Sequence, residues 1–283
     1  MRIRYGLYWV IPLLLHSANA LAWGLATHLY FSQLLLWAVP LLDPRLRSAA
    51  QRLPRLVLAG SCLPDLALAG PSARTEAFAE THRWEQAAQL LAHADSPETR
   101  ALALGYASHL LVDIIAHNHF VPAHEQMWLK LPMVTHAISE WMMDAHIEHA
   151  LFAMPQQVLR EQHAVLARYA AAEFGCTQAT AERALIHLRR ATHALYGSRA
   201  HHALYAGAQR LDRRLARRFD HYVAQTGARL PEINRLLRGE APHWRADLPC
   251  PERTGYLRCL SLDELRGQLP LPVSLFLPEL KQH

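Results

Sequence analysis

Histidines and carboxylates crowd into one stretch of this 283-residue chain, His109-Leu-Leu-Val-Asp113-Ile-Ile-Ala-His117-Asn-His119, followed by His136-Ala-Ile-Ser-Glu140. His109 precedes Asp113 by one helical turn, and His136 stands in the same relation to Glu140. On a helix turning about 100° per residue, such pairs share a face with Cβ atoms ~5–6 Å apart. Imidazole nitrogen beside carboxylate oxygen is a donor set that suits zinc. Leucine, valine, isoleucine and methionine fill the neighbouring positions, so these polar groups sit in otherwise apolar helices. A buried carboxylate is costly unless it is paired or holds a cation. With 19 histidines in the chain, a lone His-x3-Asp pair means little. Two such pairs close together, with further histidines between them, point to a metal centre.

The elements that must position these groups read as helices. Apolar residues make up 51% of the chain, and leucine–alanine segments are broken by prolines with no alternating strand pattern. The fold class is therefore all-α, a multi-helix bundle around the metal centre with an irregular Pro-rich C-terminal tail. The length suits one domain over 23–283, preceded by a leader at 1–22, with the tail from about residue 231 wrapping the bundle. The net charge of +5 rests on arginine and suits phosphate-bearing substrates or membrane surfaces without singling out either.

The first residues look like an export signal. Arg2 and Arg4 form a positive region, Tyr8 to Leu15 an apolar run, and Ala20-Leu21-Ala22 a small-x-small cleavage site. The apolar run is too short for a membrane span. Cleavage would leave Trp23 as the first residue of a periplasmic or secreted protein. In that oxidising setting Cys250 and Cys259 bracket a short loop and can pair, whereas Cys62 and Cys176 lie far apart in sequence. There is no CxxC pattern, so histidine and carboxylate must carry any metal.

Taken in order, Thr27 is placed to cap a helix starting at His28 and ending near Pro40. A second helix covers Arg45 to Ala59, with Pro54 near a kink or break. Gly60-Ser-Cys-Leu-Pro-Asp65 reads as a turn presenting an aspartate, and a loop runs on to Thr81-His82-Arg83-Trp84. A short helix from Trp84 to Ala94 follows. Ser96 and Pro97 open the long helix to about His119, and Pro122 ends it. The second site helix spans about Met133 to Phe152. Further helices are expected over Gln156–Phe174, Ala179–Tyr196 and Ser198–Thr226. The last carries Arg210, Arg213, Arg214, Arg217 and Arg218 as a solvated face.

These residues resemble the zinc-dependent phospholipase C family, whose fold is shared with zinc-dependent single-strand nucleases. The resemblance covers roughly residues 23–152. It rests on Trp23 at the cleaved N-terminus, His28 soon after, Asp65 in a Pro-Asp turn, and His82 in the following loop. It continues in the His-x3-Asp-x5-His run of His109, Asp113 and His119, and in the closing pair of His136 and Glu140. The resemblance implies three zinc ions. Asp65, His82, His109 and Asp113 would hold one, and His119, His136 and Glu140 a second. The amine and carbonyl of Trp23, with His28 and the other oxygen of Asp113, would hold the third. Asp65 is the implied general base. Ideal helix rotation puts His117 and His119 about 80° to opposite sides of His109, so geometry leaves both open and only the resemblance selects His119. His124, His146, His149, Asp144 and Glu148 extend the polar stripe.

The implied activity is hydrolysis of the glycerol–phosphate bond of a phospholipid by a monomer making peripheral membrane contact. Two other readings stand beside it. One is a single-strand nuclease or nucleotidase with the same trizinc site, which the Trp23-x4-His28 spacing resembles. Glu140 in the closing pair instead resembles the phospholipases, and no aromatic platform for stacking a base stands out. The other is a non-catalytic zinc-binding envelope protein.

Overall fold

A computed structural model describes residues 24–128, 132–240, 269 and 271–276. Among them the regular structure is helical, with no strand, as the sequence pattern requires. Helices α1 (Leu25–Ala38), α2 (Pro44–Arg52), α3 (Pro54–Gly60), α4 (Leu66–Ala73) and α5 (Trp84–His93) lead to α6 (Pro97–Ile115). A five-residue π-turn, Ala116–Phe120, runs directly into α7 (Val121–Met127), and α8 (Pro132–Ile147) follows. Then come α9 (Pro155–Glu161), α10 (His163–Glu173), α11 (Gln178–Ser198), α12 (Ala200–Leu211), α13 (Leu215–Arg229), and the short α14 (Ile233–Leu236) and α15 (Val273–Phe276).

Helix α6 is the axis of the molecule. Ser96 caps it in a reciprocal capping box with Thr99, and Pro97 occupies its first turn, where a missing N–H costs nothing. Every residue from Ala101 to Ile115 is buried. A helix that is apolar all round must be enclosed on all sides. Accordingly α1, α2, α3, α5 and α13 pack around it. Its crossing with α3 is so close that a Cβ on Gly105 would lie 1.9 Å from the Val57 carbonyl oxygen, and one on Gly60 2.2 Å from that of Leu102.

Several boundaries differ from the sequence pattern. Pro122 does not end the helical run. The π-turn breaks the hydrogen-bond register upstream, so Pro122 falls in the first turn of α7, where proline is tolerated. Pro54 marks a break, separating α2 from α3 as a first-turn residue. The loop expected after Asp65 contains α4. The stretch expected as one helix over Gln156–Phe174 is split at Gln162, and the one over Ser198–Thr226 is split at Asp212. Asp212 turns extended and accepts from the Arg214 N–H, which starts α13. Arg218 leaves the solvated face altogether: it is buried, bonded to Asp212, and donates to the Leu275 carbonyl at 3.0 Å. Cys62 and Cys176 are free thiols and do not pair. Cys250, Cys259, the leader and Trp23 lie outside the described residues. No helix among those described is long and apolar enough to cross a membrane.

Candidate metal centre

The centre forms where α6 meets α1 and two turns. Asp113 is its hub, fully buried, with four imidazoles around its oxygens. The Nε2 of His28 from α1 lies 3.3 Å from Oδ1, and the Nε2 of His109, one turn up α6, lies 3.1 Å from Oδ2. His82 is 3.8 Å from Oδ2 and His117 is 3.8 Å from Oδ1. Asp65 completes the group, with Oδ1 3.6 Å from His82 Nε2 and 3.9 Å from His109 Nε2. His28, His109 and Asp113, and again Asp65, His82 and His109, each place ligand atoms within 4.8 Å of one another.

Local structure holds these side chains in place. The close α3–α6 crossing brings the Ser61 carbonyl 2.7 Å from His109 Nδ1. That nitrogen then donates as N–H, and Nε2 faces the cluster with a lone pair. The rings of His28 and His109 stack at 3.4 Å, nearly parallel at 6°. The Asp65 turn is tied to the His82 turn by Thr81, whose hydroxyl donates to the Pro64 carbonyl at 2.6 Å. Tyr106 on α6 in turn donates to the Thr81 carbonyl. His82 is the most accessible of these donors, at 16% side-chain exposure, and marks the open side.

The electrostatics ask for a cation. His28 (both nitrogens), Asp65 Oδ1, His82 Nε2, His109 Nε2 and both Asp113 oxygens are buried without a hydrogen-bond partner among the described residues. Buried polar atoms are normally bonded, and a cluster of exceptions needs an explanation. Burial alone would raise the Asp113 carboxyl, but the imidazoles of His109 and His28 hold it well below its usual range. Glu140 moves the other way. Burial, with the charges of Asp113, Asp65 and Asp144, pushes it well above the ordinary carboxylate range. A divalent cation among these oxygens would remove both the burial cost and the repulsion. Convergent carboxylates and imidazoles of this kind fit zinc.

The second His/Glu pair lies beside the hub. His136 Nε2 approaches Glu140 Oε1 at 2.7 Å on α8, and the His117 and His136 rings are 5.2 Å apart. Burial pushes the His117 imidazole down to about 3 against the pull of Asp113. His119 is also buried, but its charged neighbour is Arg229, which together with burial lowers its pKa to about 4. The Tyr222 hydroxyl donates to the His119 carbonyl. The π-turn thus sets His117 against Asp113 and His136.

Sequence reasoning missed how α1 is held. Its N-terminus has no cap from its own chain segment: Thr27 does not accept as a cap. Instead Asp144 of α8 accepts from the Thr27 N–H at 2.9 Å and its hydroxyl at 2.7 Å. Tyr196 of α11 donates to the other Asp144 oxygen at 2.6 Å and accepts from the Ala26 N–H. This network fixes the helix end next to His28. The rest of the polar stripe disperses. His124 bonds the Phe120 carbonyl, His146 pairs with Tyr205 and Asp220, and Glu148 faces His201 and His202.

Compared with known families, the zinc dependent phospholipase C model matches residues 27–203, more than half of the chain. The chain belongs to the zinc-dependent phospholipase C family. The match takes in every candidate ligand except Trp23 and runs on through α11. Zinc dependence and phospholipase C-type hydrolysis are the family's properties. No curated protein and no solved structure matches the chain.

Proposed function

We propose that this chain is an exported zinc hydrolase that cleaves phospholipids at the glycerol–phosphate bond, in the manner of phospholipase C. The observation that carries the reading is the convergence of His28, Asp65, His82, His109 and Asp113 in a chain of this family, with their donor atoms buried and unbonded. These residues would hold up to three ions with Trp23, His136, Glu140 and one histidine of the π-turn. When bound, zinc supplies positive charge to a phosphoryl oxygen and lowers the pKa of water.

The chain's own groups do the rest. Asp65 sits in a turn beside His82, the open side of the centre, and accepts the proton as general base. Asp113 orients His28 and His109 from one helix face. Ser61 fixes the tautomer of His109. Export leaves Trp23 at the mature N-terminus, and the exposed Arg210, Arg213 and Arg217 offer a basic face for peripheral contact with anionic lipid.

The test is an assay of zinc-loaded protein beginning at Trp23, on phospholipid vesicles against single-stranded DNA. Release of phosphorylated head group, with no DNA cleavage, is expected. DNA cleavage without lipid turnover would favour the nuclease reading, and neither activity would favour a binding protein. With zinc in excess, Asp65→Asn should recover much of its metal yet lose about 10²–10⁴ in rate, as an amide cannot take up the proton.

A further inference from the structure

A second donor cluster stands away from this centre. Glu148 opens the short turn that follows α8, and His201 and His202 lie in the first turn of α12. Glu148 is eight residues beyond Glu140, about 12 Å at helical rise, so an ion here is separate from those of the main centre. Its Oε2 is 2.8 Å from His201 Nε2, and its Oε1 is 2.5 Å from His202 Nε2. The three ligand atoms lie within 4.8 Å of one another. Glu148 and His202 border a cleft of about 440 Å³, also lined by Gln156, His193, Tyr196 and Arg199.

We propose that Glu148, His201 and His202 form a further zinc site, with its fourth position open to this cleft.

One carboxylate and two imidazoles are a zinc donor set that leaves a position for water or an incoming ligand. Tetrahedral zinc at ~2.0–2.2 Å from each donor would set neighbouring donors about 3.3 Å apart. The observed pairs need to open by less than 1 Å to admit the ion. Neighbouring helical residues point about 100° apart, so helix geometry alone does not aim two side chains at one carboxylate. Here the His201 and His202 rings sit 4.3 Å apart, both turned to Glu148.

The competing explanation is a carboxylate that merely accepts from two imidazole N–H groups and ties α8 to α12. It accounts for both Nε2 contacts. It does not account for the placement of Gln156, whose buried Oε1 lacks a partner, in the wall of the same cleft. The backbone also commits to this arrangement. Arg199 adopts the left-handed conformation at φ 54°, so α12 begins without a loop and its first turn faces Glu148.

The proposal does not depend on which phosphodiester the main centre cleaves. Its test counts zinc by mass spectrometry after loading and dialysis of the full chain, in His202→Ala and Glu148→Gln. Each is partly exposed, so the helical circular dichroism signal should stay intact. Both variants should lose about one zinc per chain relative to wild type, with lipid hydrolysis changed less than ~2-fold. Asp113→Asn should keep that ion, and titration into this background should show a site whose affinity falls at least ~10-fold when His202→Ala is added. Unchanged zinc content in folded His202→Ala and Glu148→Gln, or no such site in the Asp113→Asn background, would overturn the proposal.

Discussion

Asp113 on α6 and Asp144 on α8 are both fully buried aspartates, and they are satisfied in opposite ways. Asp144 accepts hydrogen bonds from the Thr27 N–H, the Thr27 hydroxyl and the Tyr196 hydroxyl. Neither oxygen of Asp113 has a hydrogen bond, although imidazole nitrogens stand 3.1 to 3.8 Å away. A structural carboxylate is surrounded by donors that point hydrogens at it. A ligand carboxylate is surrounded by other ligands, which point lone pairs into a shared space. The difference separates a carboxylate that braces the centre from one placed where it could hold an ion.

The largest effect should come from breaking the hub. On the proposed ligand set Asp113 serves two ions, so Asp113→Asn should lower zinc affinity at least ~10²-fold and abolish hydrolysis, whereas Glu140→Gln should affect chiefly one ion. Metal analysis after dialysis reads both. Equal and negligible losses would reduce Asp113 to a structural carboxylate like Asp144.

Next in size is the reverse experiment on the structural partner. Asp144→Ala leaves three buried donors without an acceptor, which should cost about 3–5 kcal/mol in urea unfolding. A variant of unchanged stability that lost zinc instead would blur the contrast.

The π-turn offers a finer test. His117 faces Asp113 and His136, while His119 has Arg229 as its charged neighbour. His117→Ala should therefore lose more zinc than His119→Ala. If His119→Ala is the one that loses zinc, the sequence spacing outranks the geometry of the turn.

The smallest effect is one of pH. Burial pushes the Asp144 carboxyl up to about 6, against the bonds from Tyr196 and Thr27. The folded chain then holds this proton more tightly than the unfolded chain. The group's contribution is fully present below about pH 4 and is lost as pH rises through about 6. Zinc-free Asp144→Asn should show a flatter dependence of stability on pH across that window, measured by urea midpoints. An identical slope in wild type and variant would mean that Asp144 titrates normally.

The sequence by itself determined the helical class, the start of α6 and the grouping of His109 with Asp113 and of His136 with Glu140. These depend on local rules: a capping serine before proline, apolar periodicity, and the one-turn spacing that puts two side chains on one face. It also marked Asp65 and His82 as residues in turns. Only the tertiary structure decided that those two turns meet, through Thr81 bonding back to Pro64 and a helix crossing that only glycine permits at Gly60 and Gly105. It alone set His117 rather than His119 toward Asp113, because a π-turn adds a residue to the helical register and no propensity announces one. It alone joined Thr27 to Asp144, 117 residues apart, and brought Glu148 to His201 and His202. Contacts of that kind depend on where packed helices bring their ends, and sequence spacing carries no record of it.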